Sequence, residues 1–350
     1  MKRNKLIISV LVISFVVFFC LGSSFAASKK VFKLVYADQN PEVSWGSKHA
    51  TEPFLKAVEK ATNGRVKFER YYGQTLCKGR DAWEVNKNGV ADVTWNWHGY
   101  WPGMTSLADV MTLPFMSFPS SEASSGMLWK LYEKFPALRA QFKDVKPLAL
   151  WTTRPYFLIT TKKQIKTMED FKGMKIRVPG GAPTEMMKRL GGSPIAVPMP
   201  DTYINLEKGV MDGMGVLFAS LNMFKQYEVV KYYTYVPLYA SYFSLAMNIN
   251  TWNKLPPDVQ KQIESVSGFE RSKFWGKQWY DESAKVTSGE IKKKDYEMVE
   301  YTIPQAEFSR WQKVAGKPVW DGWVAKTKAA GRPEAQEVLD TLLEMIKNYK

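Results

Sequence analysis

The 350-residue sequence predicts an exported α/β protein of two domains, with mainly parallel sheets covered by helices. Three observations carry this. The chain opens with a basic, then apolar, then small-residue stretch that reads as an export signal. Strand-like and helix-like patterns alternate from residue 31 onward. About 324 residues remain once the first 26 are removed, which is more than a single core usually holds.

The signal comes first. Lys2, Arg3 and Lys5 precede an apolar run over 6–21, and Ser24-Phe25-Ala26 supplies small residues for cleavage after Ala26 or Ala27, so residues 1–26 are the expected signal peptide. The run falls just short of a bilayer span, and Phe18-Phe19 are too bulky for lipid processing at Cys20. Removal leaves Cys77 alone, so no intramolecular disulfide forms despite export. The net charge is +15; three of the 49 basic residues lie in the signal, leaving 46 against 34 acids, or +12. The lysines are spread without a dense arm or nucleic-acid motif, which excludes nucleic acid as a partner and leaves a positive field that favours small anions.

Residues 31–36 are β-branched and aromatic, the expected first strand. A helix from about Trp45 carries Phe54, Leu55 and Val58 at helical spacing and stops at Asn63-Gly64. Residues 66–71 alternate as a second strand, a helix over 79–88 ends at Gly89, and the third strand starts at 90–95. This β-α-β-α-β order implies parallel pairing. The aromatic loop Asn96-Trp97-His98-Gly99-Tyr100 then leaves the carboxyl end of that strand, where open α/β sheets bind ligands. A helix over 121–135 follows, and residues 146–151 lead into 156–160, a strand pair placed to cross between domains.

The most informative stretch is 174–215. Met174-Lys175-Ile176-Arg177-Val178 alternates as a strand, with Ile176 and Val178 facing the core and Arg177 sharing a face with Lys175 and Pro179. An arginine at a strand end, before a Pro179-Gly180-Gly181 turn and a new helix from Pro183, is placed to grip an anion. A strand at 195–198, a helix capped by Asp201 and a strand after Met211-Asp212-Gly213 follow. Residues 232–248 form one long β-prone segment returning to the first half. A helical region from Pro256 to about 294 contains Gly268, Gly276 and Gly289 as candidate kinks. A strand over 297–303 and two amphipathic helices, from Gln305 and Pro333, close the chain.

Catalysis finds little support. The chain has two histidines, His49 and His98, and lacks nucleophile-elbow, zinc-helix and phosphate-loop motifs. Strand-end and cap roles explain Asp38, Asp92, Asp212 and Glu207. No cofactor and no metal are expected, and the chain reads as a binder.

The residues now carry a likeness. In order they include Glu59-Lys60-Ala61-Thr62-Asn63-Gly64-Arg65-Val66, Gly73-Gln74, Gly89-Val90-Ala91-Asp92-Val93, Leu113-Pro114-Phe115, Phe171 through Val178, and Tyr203 through Gly213. With these the chain resembles a solute-binding protein of the tripartite ATP-independent periplasmic (TRAP) transporters, dicarboxylate type, over nearly its whole length. The resemblance implies a type II-like periplasmic-binding-protein fold: two α/β lobes, a hinge of crossing strands and a long helix spanning the lobes. It implies lobe I as 27–151 plus 240–279 and lobe II as 152–239 plus 280–350. It also implies a periplasmic location, hinge closure on ligand, and delivery to a membrane permease with a small and a large subunit.

The resemblance makes Arg177 the residue that pairs with a ligand carboxylate through two parallel hydrogen bonds. Arg154 matches a second arginine of the family. Trp97, Asn96 and Tyr100 from the aromatic loop, Gln39, Asn40 and Trp45 near the first strand, and Met199, Val216 and Phe218 complete the expected contacts. Met214-Gly215-Val216-Leu217-Phe218 departs from the family's polar residues, which removes its usual means of holding a cation and argues against polyhydroxylated sugar acids. The expected ligand is a small organic anion, a monocarboxylate with a compact or aromatic body; a sulfonate suits the same groups. An ATP-driven importer, a sensor or an exported enzyme are the competing readings.

Overall fold

The alternating runs of the sequence become strands of two separate sheets. The computed structural model describes residues 30–293 and 296–349; the expected signal at 1–26 lies outside them. In chain order the strands are β1 (Phe32–Ala37), β2 (Val66–Tyr71), β3 (Val93–Trp97), β4 (Val145–Thr152), β5 (Phe157–Thr160) and β6 (Lys175–Arg177). β7 (Ser193–Ile195), β8 (Gly213–Val216), β9 (Tyr232–Tyr235), β10 (Tyr242–Asn248) and β11 (Val299–Thr302) follow. The first sheet has the order β2-β1-β3-β10-β4 and the second β11-β9-β5-β8-β6-β7. β1 and β3 are parallel, as the β-α-β pattern requires, while β10 runs antiparallel between β3 and β4.

The single segment expected over 232–248 is two strands, one in each sheet. Residues 236–241 between them cross back beside residues 153–156, which link β4 to β5. The two crossings are stitched together: Thr153 N donates to Ser241 O at 2.9 Å, Tyr156 N to Tyr239 O at 2.8 Å and Leu238 N to Tyr156 O at 2.9 Å. A paired double crossing restricts relative motion of the sheets to bending about this ribbon.

The third link is a helix. Gly268, at φ 82°, separates the helix Pro257–Glu264 from a continuous helical run over 269–292. Its first part packs on the helix Ser121–Lys134 and on β4, its last part on the helix Phe218–Met223, so it touches both sheets' surroundings. Gly276 is a close-contact position rather than a kink, since a Cβ there would lie 2.3 Å from Ser121 O. Asp281 caps the facing helix, accepting from Ser121 N at 3.0 Å and Glu122 N at 2.9 Å, which satisfies two of its orphan N–H groups. Within the run, Lys277–Glu282 is a π-helical turn, the kind of insertion that re-aims side chains.

The C-terminal region holds three helices, Gln305–Ala315, Lys317–Ala329 and Ala335–Lys347, rather than two. Gly316 and Pro318 break the expected longer helix. The last helix packs on Ser121–Lys134, with Lys134 Nζ donating to Thr341 Oγ1 at 3.0 Å, whereas the sequence reading grouped 280–350 with the second sheet. Asp201 stands at the start of Thr202–Glu207 but makes no side-chain capping bond.

Candidate functional site

Arg177 ends β6, and its side chain is 1% exposed. Strand alternation predicts a face shared with Lys175; Lys175 is exposed, whereas Arg177 is buried against Trp97 of the first sheet. Its Nε donates to Val197 O at 3.0 Å, and its guanidinium carbon lies 4.7 Å from the centroid of the Trp97 ring. Among the described residues no carboxylate lies within ion-pair distance of it. The charge is felt by three phenols, Tyr156 and Tyr239 buried and Tyr100 half-buried: loss of water raises each, and Arg177 draws each part of the way back down.

The turn that follows packs against the aromatic loop after β3. Gly180 N donates to Gly99 O at 3.4 Å, and a Cβ on Gly180 would lie 2.5 Å from Pro102, so the Pro-Gly-Gly turn admits no side chain there. A groove of about 210 Å³ runs between these elements, and a narrow cavity of about 30 Å³ adjoins it, sharing Trp97 and Arg177. A cavity this small takes water rather than an organic acid. Ligand entry therefore requires the two walls to part.

The first wall comes from the first sheet. Trp95 and Trp97 share one face of β3 by two-residue periodicity, Phe243 joins them from β10, and Gln39 and Asn40 follow β1. Trp95 lies 4.9 Å from Phe243 and 5.7 Å from Trp279, ring to ring. The π-helical turn brings Trp279 and Tyr280 to the cavity. The second wall holds Arg177, Met199 and, from the helix Phe218–Met223 and its end, Ser220, Met223 and Phe224; Tyr156 lines it from the crossing strand.

The structure thus gathers Arg177, Trp97, Gln39, Asn40 and Met199, with Tyr100 in the adjoining groove. It places the other expected contacts elsewhere. Arg154 is exposed and outside the cavity lining; its charge acts on Asp281. Asn96 points to the other face of β3, where its amide pairs with Thr94. Trp45 stacks on His49 at 4.0 Å and donates to Gln278 O. Val216 is fully buried in the second sheet's core, and Phe218 packs beside that core against Phe157. Trp279 and Tyr280 escaped the sequence reading because a regular helix would not have aimed both; Ser220, Met223 and Phe224 lie just past the segment it singled out.

His98 is a satisfied loop residue: Nε2 is 2.9 Å from Ser244 Oγ, Nδ1 2.9 Å from Thr105 Oγ1, and burial pushes it down to about 3. Among the described residues no group of three or more His, Cys, Asp or Glu is placed to hold a metal.

Two sheets joined by paired crossings, with a buried arginine at an aromatic cavity between them, define a two-lobed solute-binding protein. The sequence matches the family model described as bacterial extracellular solute-binding protein, family 7, over residues 37–327, and the chain belongs to that family. A TRAP solute-binding protein from Rhodoferax ferrireducens in complex with copurified benzoate superposes with a TM-score of 0.84 at 28% identity, covering 91% of this chain and 98% of that one. A marine metagenome TRAP solute-binding protein specific for aromatic acid ligands, with 3-hydroxybenzoate, gives 0.85 at 26% identity, covering 92% and 99%. Among curated sequences, the outer membrane transporter protein TsaT of Comamonas testosteroni is 27% identical over 309 residues, covering 87% of this chain and 88% of that protein. The protein is a TRAP-type solute-binding protein that captures a small organic anion between its lobes and delivers it to a membrane permease.

Proposed function

We propose that the ligand is an aromatic monocarboxylate whose head group is held by Arg177 and whose ring lies among Trp95, Trp97, Phe243 and Trp279. One observation carries this: a guanidinium 1% exposed, without a described acid partner, at the wall of a cavity built from aromatic rings. A planar guanidinium matches a carboxylate with two parallel hydrogen bonds, and a poorly screened pair of this kind is worth about 10²–10³-fold in affinity. The apolar walls suit a flat ring better than a sugar acid. Similar proteins with benzoate and with (R)- and (S)-mandelate support the class.

In this reading the mature protein works in the periplasm and docks on a permease of a small and a large subunit. The crossings at 153–156 and 236–241 form its hinge. Lobe I comprises 27–151 and 240–279, with the last helix added to it; lobe II comprises 152–239 and 280–334. Arg154, at the hinge entrance, guides anions rather than gripping them.

A thermal-shift panel of benzoate, mandelate, phenylacetate, benzenesulfonate and glucuronate tests the proposal. The aromatic carboxylates are expected to raise the melting temperature, because a ligand that binds only the folded state stabilises it, and Arg177→Lys is expected to abolish the shift. A shift with glucuronate alone would overturn the aromatic assignment.

A further inference from the structure

The two amides on the first wall are locked in opposite senses. Tyr100 Oη accepts from Met199 N at 3.3 Å, so its own proton goes to Gln39 Oε1, 2.8 Å away. That oxygen is pressed against Gly79, where a Cβ would lie 1.9 Å from it. Gln39 therefore turns its Nε2 donor elsewhere. Asn40 is fixed the other way round. Its backbone N and its Nδ2 both donate to Asp38 Oδ1 at 2.8 Å, and Asp38 Oδ2 accepts from Tyr36 Oη at 2.7 Å. With Nδ2 held by the carboxylate, Asn40 turns its Oδ1 acceptor away from it.

No described residue engages Gln39 Nε2 or Asn40 Oδ1, although the two residues are only 6% and 3% exposed and both line the cavity. An amide donor and an amide acceptor that both line the cavity and have no partner among the described residues are matched together by one ligand group that accepts from the first and donates to the second. A hydroxyl does both; a fluorine, a methyl or a bare ring edge does not. Arg177 occupies the opposite wall and takes the carboxylate, which puts such a hydroxyl on the far side of the ring.

We propose that Gln39 and Asn40 form a hydroxyl-recognition pair, so that the preferred ligands are ring-hydroxylated aromatic monocarboxylates. This rests on the aromatic-acid reading above and narrows it. With an unsubstituted acid, a water held between the two amides replaces the hydroxyl, at some cost in affinity.

Calorimetric titration with benzoate, 3- and 4-hydroxybenzoate and 3- and 4-fluorobenzoate tests it on wild type and Gln39→Met. At least one hydroxybenzoate is expected to bind about 10-fold or more tightly than benzoate and its own fluoro analogue. In Gln39→Met that ratio is expected to shrink below about 3-fold. Equal affinity of wild type for benzoate and both hydroxy acids, or an undiminished preference in Gln39→Met, would overturn the pair. Should Gln39→Met fail to fold, the hydroxy-versus-fluoro comparison on wild type decides alone. Binding of none of the five acids would instead remove the aromatic-acid reading, and this inference with it.

Discussion

The guanidinium of Arg177 lies over the ring of Trp97, 4.7 Å from its centroid, joining the end of β6 in one sheet to the end of β3 in the other. The contact spans the cavity, so the residue proposed to read the ligand's charge also reports how the walls are closed. A cation–π contact of this kind is worth about 0.5–2 kcal/mol, whereas burying a guanidinium without an anion costs several kcal/mol. In the proposed binding mode the ligand-free protein therefore carries an electrostatic cost that an anionic ligand would relieve.

Arg177→Met follows from this imbalance. It is expected to lower benzoate affinity about 10²–10³-fold while leaving the ligand-free melting temperature unchanged or about 1–3 °C higher. Calorimetry and a ligand-free melt check the two halves. A fall in the ligand-free melting temperature would show that Arg177 holds the fold together.

Trp97 separates ring from bulk. Trp97→Phe keeps an aromatic face under the guanidinium and is expected to cost about 3-fold in affinity. Trp97→Ala removes the face and is expected to cost about 10-fold or more. Equal losses in both variants, measured by titration with benzoate, would count against the cation–π contact.

The sequence exposed the site's charge better than its walls. Arg177 stood out because an alternating strand ends there in a Pro-Gly-Gly turn, and Trp97 because it leaves a strand's carboxyl end; both signals are local. Asn96 is an expected contact only if the aromatic loop begins at it, whereas β3 runs through Trp97 and turns Asn96 to the other face. Trp279 and Tyr280 were invisible because a π-helical turn leaves no periodicity to read. The division of 232–248 into two strands depends on a pairing across residues 153–156, which no local pattern encodes. Gly276 looked like a kink because its reason lies in Ser121, 155 positions away in the chain.

Gly215 has a similarly distant reason. A Cβ there would lie 2.4 Å from Tyr239 Oη, on the crossing strand. Gly215→Ala is expected to destabilise by about 1–3 kcal/mol through overpacking. Tyr239→Phe alone is expected to be nearly neutral, since that buried hydroxyl has no hydrogen-bond partner among the described residues. The double variant is then expected to lose less stability than the two singles summed, because the removed hydroxyl is what the new methyl strikes. Denaturant melts of the four proteins give the coupling, and strict additivity would place the strain elsewhere.

Two buried groups tilt stability with pH in opposite directions. Burial pushes His98 down to about 3 from 6.5, so between these values the unfolded chain binds a proton that the folded chain does not. Its contribution is present above about 6.5 and is lost as pH falls towards 3, at up to about 1.4 kcal/mol per pH unit. Burial pushes Asp38 up to about 7 from 3.8, against the hydrogen bonds from Asn40 and Tyr36. Here the folded chain holds the extra proton, so its contribution is present below 3.8 and is lost as pH rises through about 7. Urea unfolding from pH 4 to 7 separates the two. The stability gap between wild type and His98→Gln is expected to narrow as pH falls, and that between wild type and Asp38→Asn to narrow as pH rises. A His98→Gln gap constant with pH would mean that His98 gains its proton in the fold as readily as outside it.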